Sequence, residues 1–526
     1  MKRILLTFID ISFCMAVAAQ VWNEDFANRQ ANLSYESENP TRLSYNQQQD
    51  FAVTKAGYFV QNGDFRAIDQ SSNAHGFDVY IGGLRKVQNF SLSGHIRYLN
   101  EKDKEQSWNS TLWNLADNPF TLCDSVPGDA TTESFDMQAA AAYDFGNRLK
   151  AGLSVGLRSG SRADQTDPRP RTTASHLPIT AGVDYQVNRA WNVGLSAGVK
   201  FSSSIIEYTL TQNNFYRYFL MKGMGDYAKR STSDESGYKR DYQGTHYQAA
   251  LNAVWQSADG RMGNFIEIGY QKANEDATDG GLSYSFHGGD YAAGTFSLQN
   301  RFRLQPSENM IHNLTIRASY SNGKGTWYDQ KRRTDIEHGS IIYYEVLSKN
   351  TIHKSQRLDA RLQYQIDLLR NGQRDLFVRA DAQLNGITRK QLLGNRTPKQ
   401  EIQNLSLQLQ AGKVLYINKV ALLAQVGGGY LTPQKQTYAS GSLYTGVDNQ
   451  ADNIDAVYTR RVFEYESAQR WNIGALIDAS LPLSNRLKAG LYAQCQYNTY
   501  NGKSEYWNGY DGTHQTAVDL GLYLQF

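Results

Sequence analysis

The stretch 517-AVDLGLYLQF-526 decides how the whole chain is read. Every second residue is large and apolar: Val518, Leu520, Leu522, Leu524 and Phe526. Between them stand Ala517, Asp519, Gly521, Tyr523 and Gln525. Strict alternation over about ten residues is the period of a strand with one apolar face, not of a helix. Residues at a chain end usually fray into water. A strand stopping here on an aromatic therefore needs something to pair with it and something apolar to face.

The same period runs upstream through FDMQAAAAYDF (135–145), LKAGLSVGLR (149–158), WNVGLSAGVKF (191–201), LDARLQYQIDL (358–368) and LFVRADAQL (376–384). It returns in RWNIGALIDASL (470–481) and RLKAGLYAQCQY (486–497). The heptapeptide NRLKAGL occurs twice, at 147–153 and 485–491, each time as a turn followed by a strand. About eighteen such segments run from residue 51 to Phe526, a number that suits a porin-sized closed barrel. Three places fit less well: the blurred alternation of 51–61, Asn300 on an apolar parity, and Pro178, which cannot donate to a ladder.

Short connections are expected at RKVQN (85–89), FGNR (145–148), VNRA (187–190), SADGRMG (257–263), PSENMIHN (306–313), RNGQR (370–374), YINK (416–419) and PLSNR (482–486). Long ones are expected near 102–132, 159–174, 203–244, 322–353 and 431–466. Tight turns at one end and long loops at the other are the layout of a transmembrane barrel. The expected fold class is therefore all-β: a closed antiparallel transmembrane β-barrel of about 18 strands, with 16–18 compatible, short periplasmic turns and long extracellular loops.

Composition agrees. Only 40% of the 526 residues are hydrophobic, yet 12% are aromatic. Beyond the N-terminus no apolar run approaches the roughly 18–20 residues of a membrane helix. Low hydropathy does not count against a barrel, because only alternate residues of its strands meet lipid.

Residues 1–19 read as a signal peptide: Lys2 and Arg3, an apolar stretch to Met15, then small residues from Ala16 to Ala19. Asp10 is unusual there, and Phe13 before Cys14 is too bulky for lipid attachment. Losing two basic residues and one acidic residue takes the net charge from +3 to about +2, which argues against a nucleic-acid partner. Residues 20–50 read as a periplasmic N-terminal tail or small hatch, and 51–526 as the barrel. That tail is too short for the plug of a TonB-dependent receptor, which would also need about 22 strands.

Charged residues of the strands keep to the parity opposite the apolar one. Lys or Arg facing lipid at the midplane would cost about 2–4 kcal/mol, so this confinement supports the barrel. With the simplest hairpin registers, Asp144 falls opposite Lys150, Asp478 opposite Lys488, and Arg361 opposite Asp381, with Arg379 nearby. These and Arg158 are the candidate lumen-facing residues. A charged lumen suits hydrophilic solutes, and it equally serves to solvate a water-filled interior.

Other motifs weigh less. GLSVG (Ser154) and GLSAG (Ser196) match a hydrolase pattern, but a nucleophile elbow needs a strand, a sharp turn and a helix, and both lie inside long alternating segments. They read as small inward stripes that keep the lumen open or let a plug approach. His95, His246, His312, His353 and His514 show no metal-ligand spacing. The acidic segments 448-DNQADNID-455 and 276-DATDGG-281 match no EF-hand and read as solvated loops. Cys123 is expected in a loop and Cys495 on a lipid face, with no disulfide between them. The aromatic-rich NNFYRYFLMKGMGDY (213–227) and SIIYYEVL (340–347) could fold into the mouth or present a contact surface.

The last strand resembles the assembly signal of bacterial outer-membrane barrels: Asp519, Gly521 two residues later, then Leu524 and Phe526. With the Tyr-rich sheet and long polar loops, the chain resembles uncharacterised outer-membrane barrels of Bacteroidota. The resemblance implies an outer-membrane location, with membrane lipids and the barrel-assembly machinery as partners. Three functions follow in order: a channel or transporter for small polar solutes, a non-conducting scaffold that docks a surface lipoprotein, and a lumen-sited hydrolase. The first two involve no enzymatic activity, and no cofactor or metal is implied.

Overall fold

The structure, a computed structural model, describes residues 32–45, 50–211, 217–231, 238–281, 284–337, 341–392, 397–439, 454–500 and 512–526. The signal-peptide segment and positions 448–453 lie outside these residues.

Eighteen strands form one antiparallel sheet in which each pairs with the next along the chain. The first, Phe51–Asn62, pairs with both the second, Asn73–Val87, and the last, His514–Gln525, so the sheet closes. Ala52 and Phe526 exchange both backbone hydrogen bonds at the seam, 3.1 and 2.9 Å. The terminal strand thus finds the partner its alternation demanded. Closure leaves no unpaired edge, the condition for spanning hydrocarbon.

Register displays the lipid-facing surface in rows. Across the eleventh to fourteenth strands, Met310–Asp335, Ile341–Arg370, Gln373–Gln391 and Lys399–Ile417, one row holds Ile316, Leu362, Ala382 and Leu407. The next holds Ala318, Ala360, Leu384 and Leu405, and above it come Tyr320, Leu358, Gly386 and Gln403. From the row of Met310 to that of Tyr320 is ten residues, about 34 Å along strands tilted by about 45°, or about 24 Å of membrane. That matches the apolar band of an outer-membrane barrel, about 25 Å. Elsewhere Leu251, Leu491, Leu409 and Phe296 are among the most exposed apolar side chains, as lipid contact requires. A closed barrel with this belt is an outer-membrane barrel, and no described helix is long and apolar enough to cross a membrane.

The eight short connections occur where expected, for example between Val87 and Phe90 and between Ile417 and Val420. Several long ones do not. Residues 159–174 are mostly strand, in Leu149–Asp164 and Pro170–Gln186, and 322–353 is mostly a projecting hairpin. The strands run past the membrane, where lipid no longer imposes the alternation that marks them. The segment 276–281 corrects in the same way: it belongs largely to the strand Met262–Gly280, and Asp279 is fully buried against Arg240.

The two irregular positions have local answers. Asn300 does sit on the outward parity, but its amide donates to Asn264 Oδ1 (2.6 Å) and Phe265 O (3.1 Å). At Pro178 the ladder between Leu149–Asp164 and Pro170–Gln186 skips from Val155–Ile179 to Arg158–His176. Cys495 is exposed on the outward face and Cys123 is buried inside the mouth; neither is in a disulfide.

Candidate functional site in the lumen

The inward faces of the strands carry polar and charged side chains, and other parts of the chain pack against them from both ends. At the short-turn end lie residues 32–45, which finish in a 3-10 helix, Pro40–Tyr45. Asn39 Nδ2 donates to Val183 O (3.0 Å) and Asn252 Oδ1 (3.1 Å). Ser37 donates to Glu267, Arg317 pairs with Glu36, and Tyr45 donates to Asp184. These contacts run along the wall from the sixth strand to the eleventh.

Glycine makes the seat. A Cβ at Gly152 would stand 2.7 Å from Thr41 N, one at Gly194 2.8 Å from Asn39 Nδ2, and one at Gly182 would strike Asn39 Oδ1. The Gly-x-Ser-x-Gly stripes therefore have a packing role. Ser154 Oγ accepts from Gln138 Nε2 (2.7 Å), and Ser196 is buried in the wall.

At the opposite end the filling is larger. Loop 107–127 leaves the third strand, Phe90–Gln106, and returns at the fourth, Gly128–Asp144. On one side Thr172 donates to Ser110 O, and the Arg158 guanidinium lies 4.0 Å from the Trp113 ring centroid. Further round, Glu275 accepts from Asn118 Nδ2 (2.7 Å) and Leu115 N (3.3 Å). On the far side, Arg357 of the twelfth strand donates twice to Asp117, at 2.9 and 2.8 Å. Arg389 of the thirteenth strand also reaches Asp117 (3.1 Å) and clamps Glu466 at 2.7 and 2.9 Å. The thirteenth strand stands nine places from the fourth in a ring of 18, so the loop spans the lumen.

Local sequence shapes this crossing. Asn109 and Asn118 accept from the backbone N–H two residues on, at Thr111 and Phe120, both 3.0 Å. Such turns stabilise a compact irregular loop, and Asp117 takes a positive φ of 61° that Asp tolerates. Leu122–Asp124 then joins Arg217–Gly223 and Asp226–Ser231 in a three-stranded sheet. The aromatic segment near 213–227 is thus folded inward over its described part. Tyr218 stacks between Tyr208 (4.8 Å) and Tyr238 (5.3 Å), and Phe219 stacks on Trp108 (5.2 Å). Helix Arg460–Glu466 brings Glu466 to the wall, and Asn404 Nδ2 donates to Glu466 O (2.8 Å).

Charge stabilises this filling unevenly. Although Asp117 is buried, the guanidiniums of Arg357 and Arg389 hold its carboxyl well below the usual carboxylate range. Asp124 is also buried, without a cation against it among the described residues, and desolvation pushes it up to about 7.

The candidate lumen residues all stand on the inward parity, with differing partners. Asp144 is opposite Lys150 and 3.6 Å from it, and Lys150 Nζ lies 3.6 Å from the Tyr45 ring centroid. Arg361 pairs with Asp381 at 2.6 Å, yet its register partner is Gln383, so the contact is diagonal. The turn after Arg370 holds one more residue on one strand, with a register shift at Leu368–Leu369, and this moves the pairing. Arg379 donates to Gln365 Oε1 (2.8 Å). Asp478 is not opposite Lys488 but opposite Tyr492, and it accepts from Tyr523 Oη (2.8 Å); Lys488 faces Pro482. The connection 483–487 is longer than the simplest hairpin assumed.

At the terminal strand, Asp519 accepts from Tyr492 Oη (3.0 Å), and a Cβ on Gly521 would strike the Tyr492 ring. Gly490 receives Tyr523 reciprocally. Leu524 and Phe526 face outward. His246 lies 3.3 Å from Ser202 Oγ, and His353 lies 3.1 Å from Gln391 Oε1, in ordinary polar contacts.

The residues that pin the loop, Asp117, Arg357, Arg389 and Glu466, were not singled out in the sequence. The arginines were visible as inward-parity charges. Their partners were not, since Asp117 lies 240 residues before Arg357.

No curated protein matches the chain. Among solved structures it is similar to the RagAB peptide importer in its "closed-closed" state, with 8% identity and a TM-score of 0.43, covering 91% of this chain and 87% of that one. It is also similar to the siderophore receptor PiuA from Acinetobacter baumannii, with 9% identity, a TM-score of 0.41 and coverage of 91% and 82%. The copper transporter OprC gives 7% identity, a TM-score of 0.43 and coverage of 90% and 80%. Similarity this distant carries no substrate from those proteins to this one. Residues 40–526, from the first residue of the 3-10 helix to the closing strand, match the family described as "Family of unknown function (DUF6850)", and the chain belongs to that family.

Proposed function

We propose that this barrel transports small polar solutes across the outer membrane and rests closed, with loop 107–127 as its gate. The observation that carries this reading is the crossing of the lumen by that loop, pinned on the far wall by Arg357 and Arg389 through Asp117. A pinned charge pair can be released and re-formed, whereas an apolar core filling the whole lumen could not open without unfolding. The wall behind the gate supports a polar cargo: Gln408, Gln410, Gln425, Gln494 and Gln496 stand inward on the fourteenth, fifteenth and seventeenth strands. Neutral or zwitterionic solutes rich in hydrogen-bonding groups suit amides and paired charges. Residues 32–45 act in this reading as a hatch at the periplasmic end. Asp519, Gly521, Leu524 and Phe526 serve the assembly machinery as its recognition strand. The reading needs no cofactor and no enzymatic step.

A second reading is favoured by the stacked tyrosines and the three-stranded sheet within the mouth. They give the extracellular surface a core of its own, as a docking scaffold for a surface lipoprotein would need. Planar-bilayer recordings separate the two. A gated transporter is silent when intact and conducts when Arg389→Ala releases the loop. A scaffold is silent in both forms with folding confirmed.

A further inference from the structure

Register places four lysines side by side on the outside of the barrel. Lys324 is opposite Lys354, Lys354 opposite Lys390, and Lys390 opposite Lys399, on the eleventh to fourteenth strands. Like charges directly opposite in a sheet are destabilising. Here the arrangement repeats across three successive strand pairs. Lys399 bonds Glu401 at 2.5 Å, and Lys435 bonds the same carboxylate at 2.7 Å. Lys324, Lys354 and Lys390 have no ion pair among the described residues, and Lys324 and Lys354 are exposed. Asp276 and Asp290 lie on the neighbouring ninth and tenth strands, one register step higher, and Asp290 is engaged by Tyr328.

The height of this row is fixed by the rows beneath it. Tyr320, Leu358 and Gly386 stand in the last apolar row, and Asn322, Gln356 and Thr388 in the row between. Two steps of two residues on tilted strands raise the lysines about 10 Å above the last apolar row. That is the depth of headgroup phosphates in the leaflet facing the long connections. With strands about 4.8 Å apart, the row is about 14 Å long and can engage more than one phosphate.

We propose that the row Lys324–Lys354–Lys390–Lys399 binds the phosphorylated headgroup of an outer-leaflet lipid. The bound phosphates neutralise the cross-strand repulsion, so this side of the barrel is built to be most stable in an anionic leaflet.

The test uses the full barrel refolded in neutral detergent and native mass spectrometry. The probes are a lipid with two phosphates on its sugar headgroup, the same lipid dephosphorylated, and inorganic phosphate as competitor. The proposal expects the phosphorylated lipid to be retained and the dephosphorylated one lost. It expects retention to fall about tenfold or more in K324Q/K354Q/K390Q. K86Q, at the other end of the barrel, is expected to change nothing. The triple variant should also melt higher than wild type in neutral detergent and lower in phosphorylated lipid. Should the triple variant not fold, Lys354→Gln, which removes one of the two lysines flanked on both sides, is read for the same two effects at smaller size. Equal retention by variant and wild type, or equal loss in K86Q, would overturn the proposal. Equal retention of the dephosphorylated lipid would do so too. Complete displacement by millimolar inorganic phosphate would assign the row to free anions instead.

Discussion

The two fillings of the lumen differ in the balance of shape and charge that holds them. Residues 32–45 sit in a seat shaped mainly by glycine, with Asn39, Pro40 and Thr41 against Gly152, Gly182 and Gly194, and supplemented by the Arg317–Glu36 pair. Loop 107–127 adds to its apolar packing, which buries Phe120 and Leu122, an ion network with Asp117 between Arg357 and Arg389. The steric part of a seat is specific but indifferent to pH and salt. A buried ion network resists small changes, yet it fails as a unit once a member is removed. On the proposed reading, the loop is the movable part and the N-terminal segment the fixed one.

The comparison is broken most severely by Arg389→Ala. It strips Glu466 of its bidentate partner and Asp117 of one of two, and leaving a buried charge uncompensated costs about 3–5 kcal/mol. We expect hydrogen exchange to rise across 107–127 and 454–469, with the barrel strands unchanged. A moderate effect is expected at the other seat. Gly182→Val overfills the site of Asn39 at about 1–3 kcal/mol, so a cysteine placed at Glu38 should become reactive while loop 107–127 stays protected. Exposure of both fillings by either variant would mean that they are one unit.

The smallest effect separates the loop's own acids. Asp117, held low by its arginines, favours the closed loop wherever pH lies above the ordinary carboxylate range, and that contribution is lost only in strong acid. Asp124, raised to about 7 by burial, works in the other direction. Its contribution is full below the ordinary carboxylate pKa and is lost as pH rises through about 7. Protection in 107–124, relative to the base-catalysed intrinsic exchange rate, should therefore fall from pH 5 to 8, and Asp124→Asn should flatten that slope. A slope that persists in the variant would locate the titrating group elsewhere.

What could be read from the sequence follows the same division. The wall was legible because lipid imposes a period of two on every strand, down to Val518–Phe526, and because tight turns such as 416–419 carry their own residues. The ends of the projecting strands were not, since beyond the membrane at 322–353 lipid no longer imposes a period of two. The repeated NRLKAGL was legible as a turn and strand, but not why its glycine matters: Gly152 admits Thr41, and Gly490 admits Tyr523. Charge parity found Arg361, Asp381 and Lys150, whereas the register of Asp478 depended on a turn length that parity does not contain. The far-wall anchor was hidden for a simpler reason. Asp117 and Arg357 meet through a loop that crosses the lumen, and no local period connects residues so far apart.

The most direct test of the central claim is single-channel recording of the intact barrel beside Arg389→Ala in the same planar bilayer. The account predicts a silent intact barrel and discrete, reversible openings in the variant. Steady conductance in the intact protein, equal to that of the variant, would contradict it.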